Sequence, residues 1–450
     1  MASRTVSVDE VLDSVPFTLY QVLVGILCFC CMLFDGFDMS VIGLAAPKIA
    51  EYLHIKPPQL GLAMSAGQVG PLIGAALLGM LADRVGRRRM LISCAFAFGF
   101  FTLLCTTITG VWQLALYRFI AGLGLGGAIP TAVAFGADYA PAKARGTFST
   151  AMFAGVPTGS TVSGLSAVYL LSHFGWQSVF IVGGFVPIAI GVLMVFLLPE
   201  SMTFLVGRKN GQEKVRTIVA RIAPAIAKDE EVEFCSSEAK RPGVPVKHLF
   251  LEGRALTTVL VWICFLIGYY LIFLMLSWAP TLLHKAGATV QQYSASFGLI
   301  NFGSAIATVT VGWLMDKFRK HSYLILQIGF AIGFLSLGAF GYFSTNPFIV
   351  IASLSVLCGL FINGTSSGLV ALVTLSYPKD ITGSAVGWAL ALSRAGAALA
   401  PMIGGIFIGL NWTVFQICGI NALGALVIVG LIAIIATQSA RMLNAASNVC

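Results

Sequence analysis

One pattern governs this chain from end to end: apolar runs of about 20 to 30 residues, separated by short polar breaks. A helix of that length spans the roughly 30 Å hydrocarbon core of a bilayer. Twelve spans are expected, at roughly 18–47, 59–82, 89–109, 112–138, 146–172, 177–198, 255–283, 291–315, 322–344, 347–376, 383–409 and 412–437. The charged share is only 10%, against 58% hydrophobic residues, which excludes a soluble globular domain. The expected class is therefore an all-α polytopic membrane protein. Its 49 glycines suit close helix approach. The first apolar segment is too long for a signal-peptide core and has no cleavage-like end, so it should remain as the first span.

Charge then orients the spans. With the N-terminus placed inside, 22 of the 27 Lys and Arg fall on cytoplasmic segments. Only Lys48, Lys56 and Lys285 fall outside, and two, Arg118 and Arg394, lie within spans. That asymmetry places both termini in the cytoplasm. The net charge of +9 is topological on this reading and implies no nucleic-acid partner. Most of the ten cysteines lie inside predicted spans, so no metal site, redox role or other cofactor is expected.

The hydrophilic stretch 199–254 divides the spans six and six, giving bundles at 1–198 and 255–450. Within it, "EKVRTIVARIAPAIAKDEEVE" suits a short amphipathic helix on the membrane surface, although a plain tether is the simpler expectation. The halves echo each other: "GMLADRVGRRR" (79–89) recurs in reduced form as "GWLMDKFRKH" (312–321), and "DYAPAKARG" (138–146) is echoed by "SYPKDITG" (376–383). Parallel duplication of a six-helix unit is a carrier architecture, with substrate bound near the membrane midplane between the halves.

Two aspartates interrupt the first span in "LFDGFDMSVIG" (33–43). Each costs on the order of 2.5–3.5 kcal/mol at the centre of a membrane helix. At i and i+3, Asp35 and Asp38 project from one helix face. A carboxyl whose charged form is penalised, by burial or by a second carboxylate, can carry a proton. The alternative is that the pair braces the first helix against an arginine.

The loop motif 79–89 and its copy resemble the signature of the major facilitator superfamily, as does "PES" (199–201) after the sixth span. The resemblance covers the whole chain and implies two six-helix bundles. It also implies that Gly79, Asp83, Arg84, Gly86, Arg87, Arg88 and Asp316 gate the cytoplasmic side. "DGFD", Arg118 in "YRFIAGLGLGGAIP" and "MDKFRKH" narrow it further, to a likeness with the aromatic acid/proton symporters. These are bacterial inner-membrane carriers, and the likeness implies uptake of benzoate-type acids with protons. On that likeness Asp35 and Asp38 match the acidic pair, Arg118 and Arg394 the buried arginines, and His321 the histidine ending the second loop motif. One position departs: Thr382 in "YPKDITGSAVGW" stands where the family commonly has arginine.

The same likeness implies a cavity lined by helices one, four, seven and ten, with eleven contributing. An arginine fork suits a carboxylate substrate better than a lysine point charge. Arg394 is the expected clamp, and Arg118 serves as clamp, gate or proton-site partner. Gln68, Tyr269, Tyr270, Trp278, Asn301, Asn363 and Trp388 are candidate contacts for an aromatic ring and its substituents. Each also has a packing role open to it, and Trp278 a role at the membrane interface. The expected partners are an aromatic carboxylate, protons and membrane lipid, with the protein acting as a monomer. A carrier of non-aromatic organic acids and a non-transporting receptor for aromatic acids are the alternatives. An enzyme is not expected.

Overall fold

The computed structural model describes residues 4–141, 144, 148, 151–208, 211–229, 232–235, 246–251 and 253–447. Twelve long helices form the body and are labelled in chain order. The first half holds α1 (Leu19–Leu53), α2 (Pro57–Val85), α3 (Arg87–Leu104), α4 (Val111–Ala137), α5 (Gly155–His173) and α6 (Gln177–Leu197). The second holds α7 (Ala255–Lys285), α8 (Val290–Lys317), α9 (Ser322–Tyr342), α10 (Phe348–Ser376), α11 (Lys379–Gly409) and α12 (Val414–Ser447). Eleven helices among the described residues are long and apolar enough to cross a membrane. The span expected at 146–172 corresponds to α5, which stands outside that count. Its "GVPTGSTVSG" start is rich in small and polar residues, and it lies against α1 and α8.

The helix ends follow local chemistry. Thr18 with Gln21 and Thr289 with Gln292 form capping boxes that start α1 and α8. Pro57 and Pro58 open α2, where a missing N–H costs nothing. The chain turns from α2 into α3 at Gly86, whose φ of 114° belongs to glycine. α1 runs on through Pro47 to Leu53, past its expected end, because the backbone group a proline frees in a membrane helix is accommodated by its surroundings.

Small residues set the closest contacts. Gly70 and Gly74 on α2 meet Gly122 and Gly126 on α4 as two interlocked small-x-x-x-small stripes. A Cβ at Gly70 would lie 2.3 Å from the Phe119 carbonyl oxygen, and one at Gly126 2.2 Å from that of Pro71. Gly36, between the two aspartates, lets α5 approach α1: its Cβ would lie 1.8 Å from the Val156 carbonyl oxygen. Helix α1 is continuous there, so Gly36 serves close approach and not a bend.

The two halves touch through α1 with α7, α2 with α11 and α5 with α8. The tightest points are Gly43 with Leu276, Gly61 with Pro401, Pro57 with Gly405 and Gly164 with Gly298. All lie at mid-height or beyond, away from the 199–254 segment. Twelve spans return the chain to its starting face, so both termini and the 199–254 segment share one side, here named the terminal face. Towards that face, a Cβ at Gly312, Gly383 or Gly387 would meet nothing within 4 Å. The closest approaches between the bundles thus all lie at mid-height or on the far side.

A small body sits on the terminal face. Strand β1 (Arg4–Ser7) pairs in parallel with β2 (Val232–Cys235). Beside them, helix Val8–Asp13 and helix Gly211–Ile222 bury Val8, Val11, Leu12, Val215, Ile218, Val219 and Ile222 in one cluster with Phe234. Helix Gly211–Ile222 fits the amphipathic helix expected in 199–254, and its apolar residues are buried, with helices Met202–Val206 and Pro224–Ala227, β2 and α1 packed against it.

Candidate functional site

Asp35 and Asp38 sit near the middle of α1, each 2% exposed. From α4, Arg118 donates through Nη1 and Nη2 to Asp38 Oδ1 and Oδ2 at 2.6 and 2.7 Å. This is a bidentate, charge-assisted pair with both members buried. Room for it comes from Gly67 on α2, where a Cβ would lie 3.3 Å from the Arg118 Cβ. The glycine stripes that bring α2 and α4 together therefore also aim Arg118 at α1.

Asp35 stands outside that pair. Its Oδ1 is buried with no hydrogen-bond partner, and the charges acting on it are Arg394 of α11 and Asp38. Arg394 is half-buried and lies within electrostatic reach of Tyr269 on α7 as well. The ring of Tyr269 stacks on Phe265 at a centroid distance of 6.3 Å. One complete ion pair within the first bundle thus adjoins a carboxyl that interacts with an arginine of the second. The Ser40 and Ser160 hydroxyls both donate to the Gly36 carbonyl, at 2.9 and 2.8 Å, and hold this part of α1 against α5.

The remaining candidates separate. Gln68, next to Gly67 along α2, is buried. Tyr270 lies where α7 meets Gly396 of α11. Asn301 on α8 donates to the Phe297 carbonyl at 2.9 Å, within its own helix. Asn363 lies in a π-helical turn of α10, Gly359–Gly364, and its Oδ1 is buried without a partner. Such turns recur at functional sites because they re-aim side chains. Trp388 is not brought to the charged group: it is 47% exposed near the terminal end of α11, at a centroid distance of 6.3 Å from Trp262. Trp278 is 1% exposed, and its Nε1 donates to the Pro401 carbonyl at 2.9 Å. It ties α7 to α11 and is no interfacial anchor.

The loop motif builds a second site on the terminal face. Arg87 Nη1 donates to Asp138 Oδ2 at 2.7 Å and to the Ala134 carbonyl at 3.2 Å. Ser201 Oγ donates to the same carboxylate oxygen. The Arg88 backbone N–H donates to Glu200 Oε1 at 2.9 Å, and its Nη2 donates to the Val195 carbonyl at 2.5 Å. Burial raises the Asp138 carboxyl above its ordinary range, opposed by Arg87 and by the Ser201 and Thr203 hydroxyls. Arg84 is exposed, and its carbonyl accepts from Arg208 Nη2. Gly79 is not a point of close approach, since its Cβ would meet only Pro130 Cγ at 4.0 Å. His321 is exposed in a short 3-10 turn, Arg319–His321. The side chains of Asp83 and Asp316 lie outside the described residues. Thr382 donates to the Pro378 carbonyl at 2.7 Å, within its own helix turn.

Sequence reasoning missed three features. Asp138, Glu200 and Ser201 are the partners that join the loop motif to "PES". The recurrence of the 138–146 run was the available signal. The π-helical turn had none, because "GLFING" contains no proline. At the far rim, Glu51 of α1 and His284 of α7 approach to 3.4 Å across the two halves, and nothing in their spacing announces it.

Comparison with known proteins agrees with the fold. The model of the Major Facilitator Superfamily matches residues 28–300 and 261–445. The 4-hydroxybenzoate transporter PcaK of Pseudomonas aeruginosa is 33% identical over 92% of both chains. The gallate transporter of Pseudomonas putida is 31% identical over 97% of this chain and 96% of its own. Among solved structures, a D-xylose–proton symporter superposes with a TM-score of 0.68 at 20% identity, covering 91% of this chain and 97% of its own. A bacterial homologue of the human lysosomal transporter Spinster, in an inward-facing and occupied conformation, gives 0.70 at 16% identity, covering 94% and 96%. The chain is a member of the major facilitator superfamily, in the part of it that holds these 4-hydroxybenzoate and gallate transporters.

Proposed function

We propose that this protein imports small aromatic carboxylates of the hydroxybenzoate type together with protons. The bundles at 1–198 and 255–450 alternate access around the site, joined by the 199–254 segment. The protein is a transporter and not an enzyme. The excess of basic residues makes the terminal face cytoplasmic, in the inner membrane of a bacterium. The contacts between the bundles then lie on the outer side, which suits a state open to the inside.

One observation carries the coupling: Asp35 has an unpaired buried oxygen and interacts with Arg394 across the two bundles. While Asp35 is charged, it competes for the Arg394 guanidinium. A proton on Asp35 removes that competitor and frees the fork for a substrate carboxylate. Proton and substrate therefore favour each other's binding, as linkage requires of a symporter. The half-buried Tyr269, backed by the buried Phe265, offers a flat wall for the ring, and Asn363 Oδ1 an acceptor for a ring hydroxyl. Asp38 and Arg118 form the fixed pair that keeps α1 and α4 in register. The names of the 4-hydroxybenzoate, gallate and benzoate carriers among the relatives support the substrate class.

The test is uptake by whole cells of a panel of radiolabelled hydroxybenzoates, with and without a protonophore. Accumulation that the protonophore abolishes, competed by benzoates and not by aliphatic dicarboxylates, is expected. Uptake indifferent to the protonophore, or a preference for succinate or quinate, would overturn the reading.

A further inference from the structure

A cavity of about 850 Å³ opens on the terminal face, where the α2–α3 junction, the end of α6 and the helix Gly211–Ile222 meet. Tyr20 on its wall is 15 residues from Asp35 along α1, roughly 22 Å at helical rise. It is therefore separate from the transport site. Six basic side chains line it: Arg84, Arg88, Arg89, Arg208, Lys214 and Arg221. Among the described residues the one carboxylate on its wall, Glu200, already accepts the backbone N–H groups of Arg88 and Ser201, at 2.9 and 3.0 Å. Among the described residues, none of the six basic groups forms a salt bridge.

Several of these cations are held in place. Arg208 lies over the Phe204 ring at 4.9 Å and Arg221 over the Tyr20 ring at 5.4 Å. Arg88 Nε is buried without a hydrogen-bond partner. Membrane orientation requires positive charge on this face, but it does not require six cations to converge on one hollow. Like charges so gathered repel one another, and a multivalent anion relieves that repulsion. Arginine forks match phosphate oxygens in particular.

The rim indicates where such an anion comes from. Val85 and Leu198 line the hollow. Next to them Met80, Leu81, Phe196 and Leu197 are exposed, Phe196 by 79%. In a membrane-spanning bundle those side chains face acyl chains. We propose that the cavity binds the phosphate headgroup of an anionic phospholipid, with the acyl chains lying along the exposed ends of α2 and α6.

The experiment titrates the purified full-length protein in detergent with phosphatidylglycerol, phosphatidylcholine or inorganic phosphate, and reads bound lipid by native mass spectrometry. The wild type should prefer phosphatidylglycerol on the order of tenfold or more, and salt should weaken that preference. The triple variant Arg89→Gln, Lys214→Gln, Arg221→Gln should lose it, while Arg89→Lys with Arg221→Lys keeps most of it. Equal retention of both lipids by the wild type would overturn the proposal. So would full preference in a triple variant of unchanged Tm. If the triple variant fails to fold, the wild-type salt series decides, and a preference indifferent to salt counts against the site. Displacement of phosphatidylglycerol by equimolar inorganic phosphate would make the ligand a soluble phosphate and overturn the membrane assignment.

Discussion

Asp38 and Arg118 stabilise this protein only as a pair. A buried charge stripped of its partner costs about 3–5 kcal/mol, whereas replacing both members together costs much less. Asp38→Asn and Arg118→Gln should each lower the Tm in detergent strongly, and the double variant should recover much of the loss. Singles that simply add in the double variant would contradict the pairing. Thermal unfolding of the three variants measures this. The charged residues of the site were legible in the sequence, because four charges inside apolar runs have few uses other than function or bracing. Which aspartate takes Arg118 was not. Asp35 and Asp38 share a helix face, and the choice between them depends on where α4 is placed by α2, at Gly67.

At the scale of elements, glycine spacing decides which helices touch. Gly126→Ala should destabilise the protein by about 1–3 kcal/mol, since the new Cβ would meet the Pro71 backbone. Gly79→Ala, on the partner helix α2, should leave the Tm unchanged, because its surroundings are open. Equal Tm losses in the two variants would contradict the packing described. Helix number and order were readable from hydropathy alone. The polar α5 was readable too, although its small residues serve two neighbours and not lipid. The π-helical turn in α10 was not readable. It coincides with tight contact between α10 and α8, where a Cβ at Gly359 would lie 1.9 Å from the Ile300 carbonyl oxygen. Such a contact is non-local and leaves no periodic trace in either segment.

Across the whole molecule, three helix pairs join the bundles at mid-height and beyond, and the alternating access proposed here has to break those contacts in every cycle. A cross-link between Glu51→Cys and His284→Cys, whose native side chains approach to 3.4 Å, should hold those contacts in place. Uptake should stop on cross-linking and return on reduction, and turnover unaffected by the link would contradict the scheme. The duplicated loop motifs made the two-bundle plan legible in the sequence. The small body on the terminal face was not, because β1 and β2 lie more than 200 residues apart and neither is apolar enough to announce its partner.

Asp35, on the function proposed above, carries the proton that drives substrate accumulation. The decisive measurement uses proteoliposomes holding only this protein, with an imposed pH gradient, acid outside, and radiolabelled 4-hydroxybenzoate. The wild type should accumulate the substrate when the gradient is imposed. Asp35→Asn should accumulate none, yet should still exchange labelled for unlabelled substrate when no gradient is imposed. Gradient-driven accumulation by Asp35→Asn at the wild-type level would contradict that role.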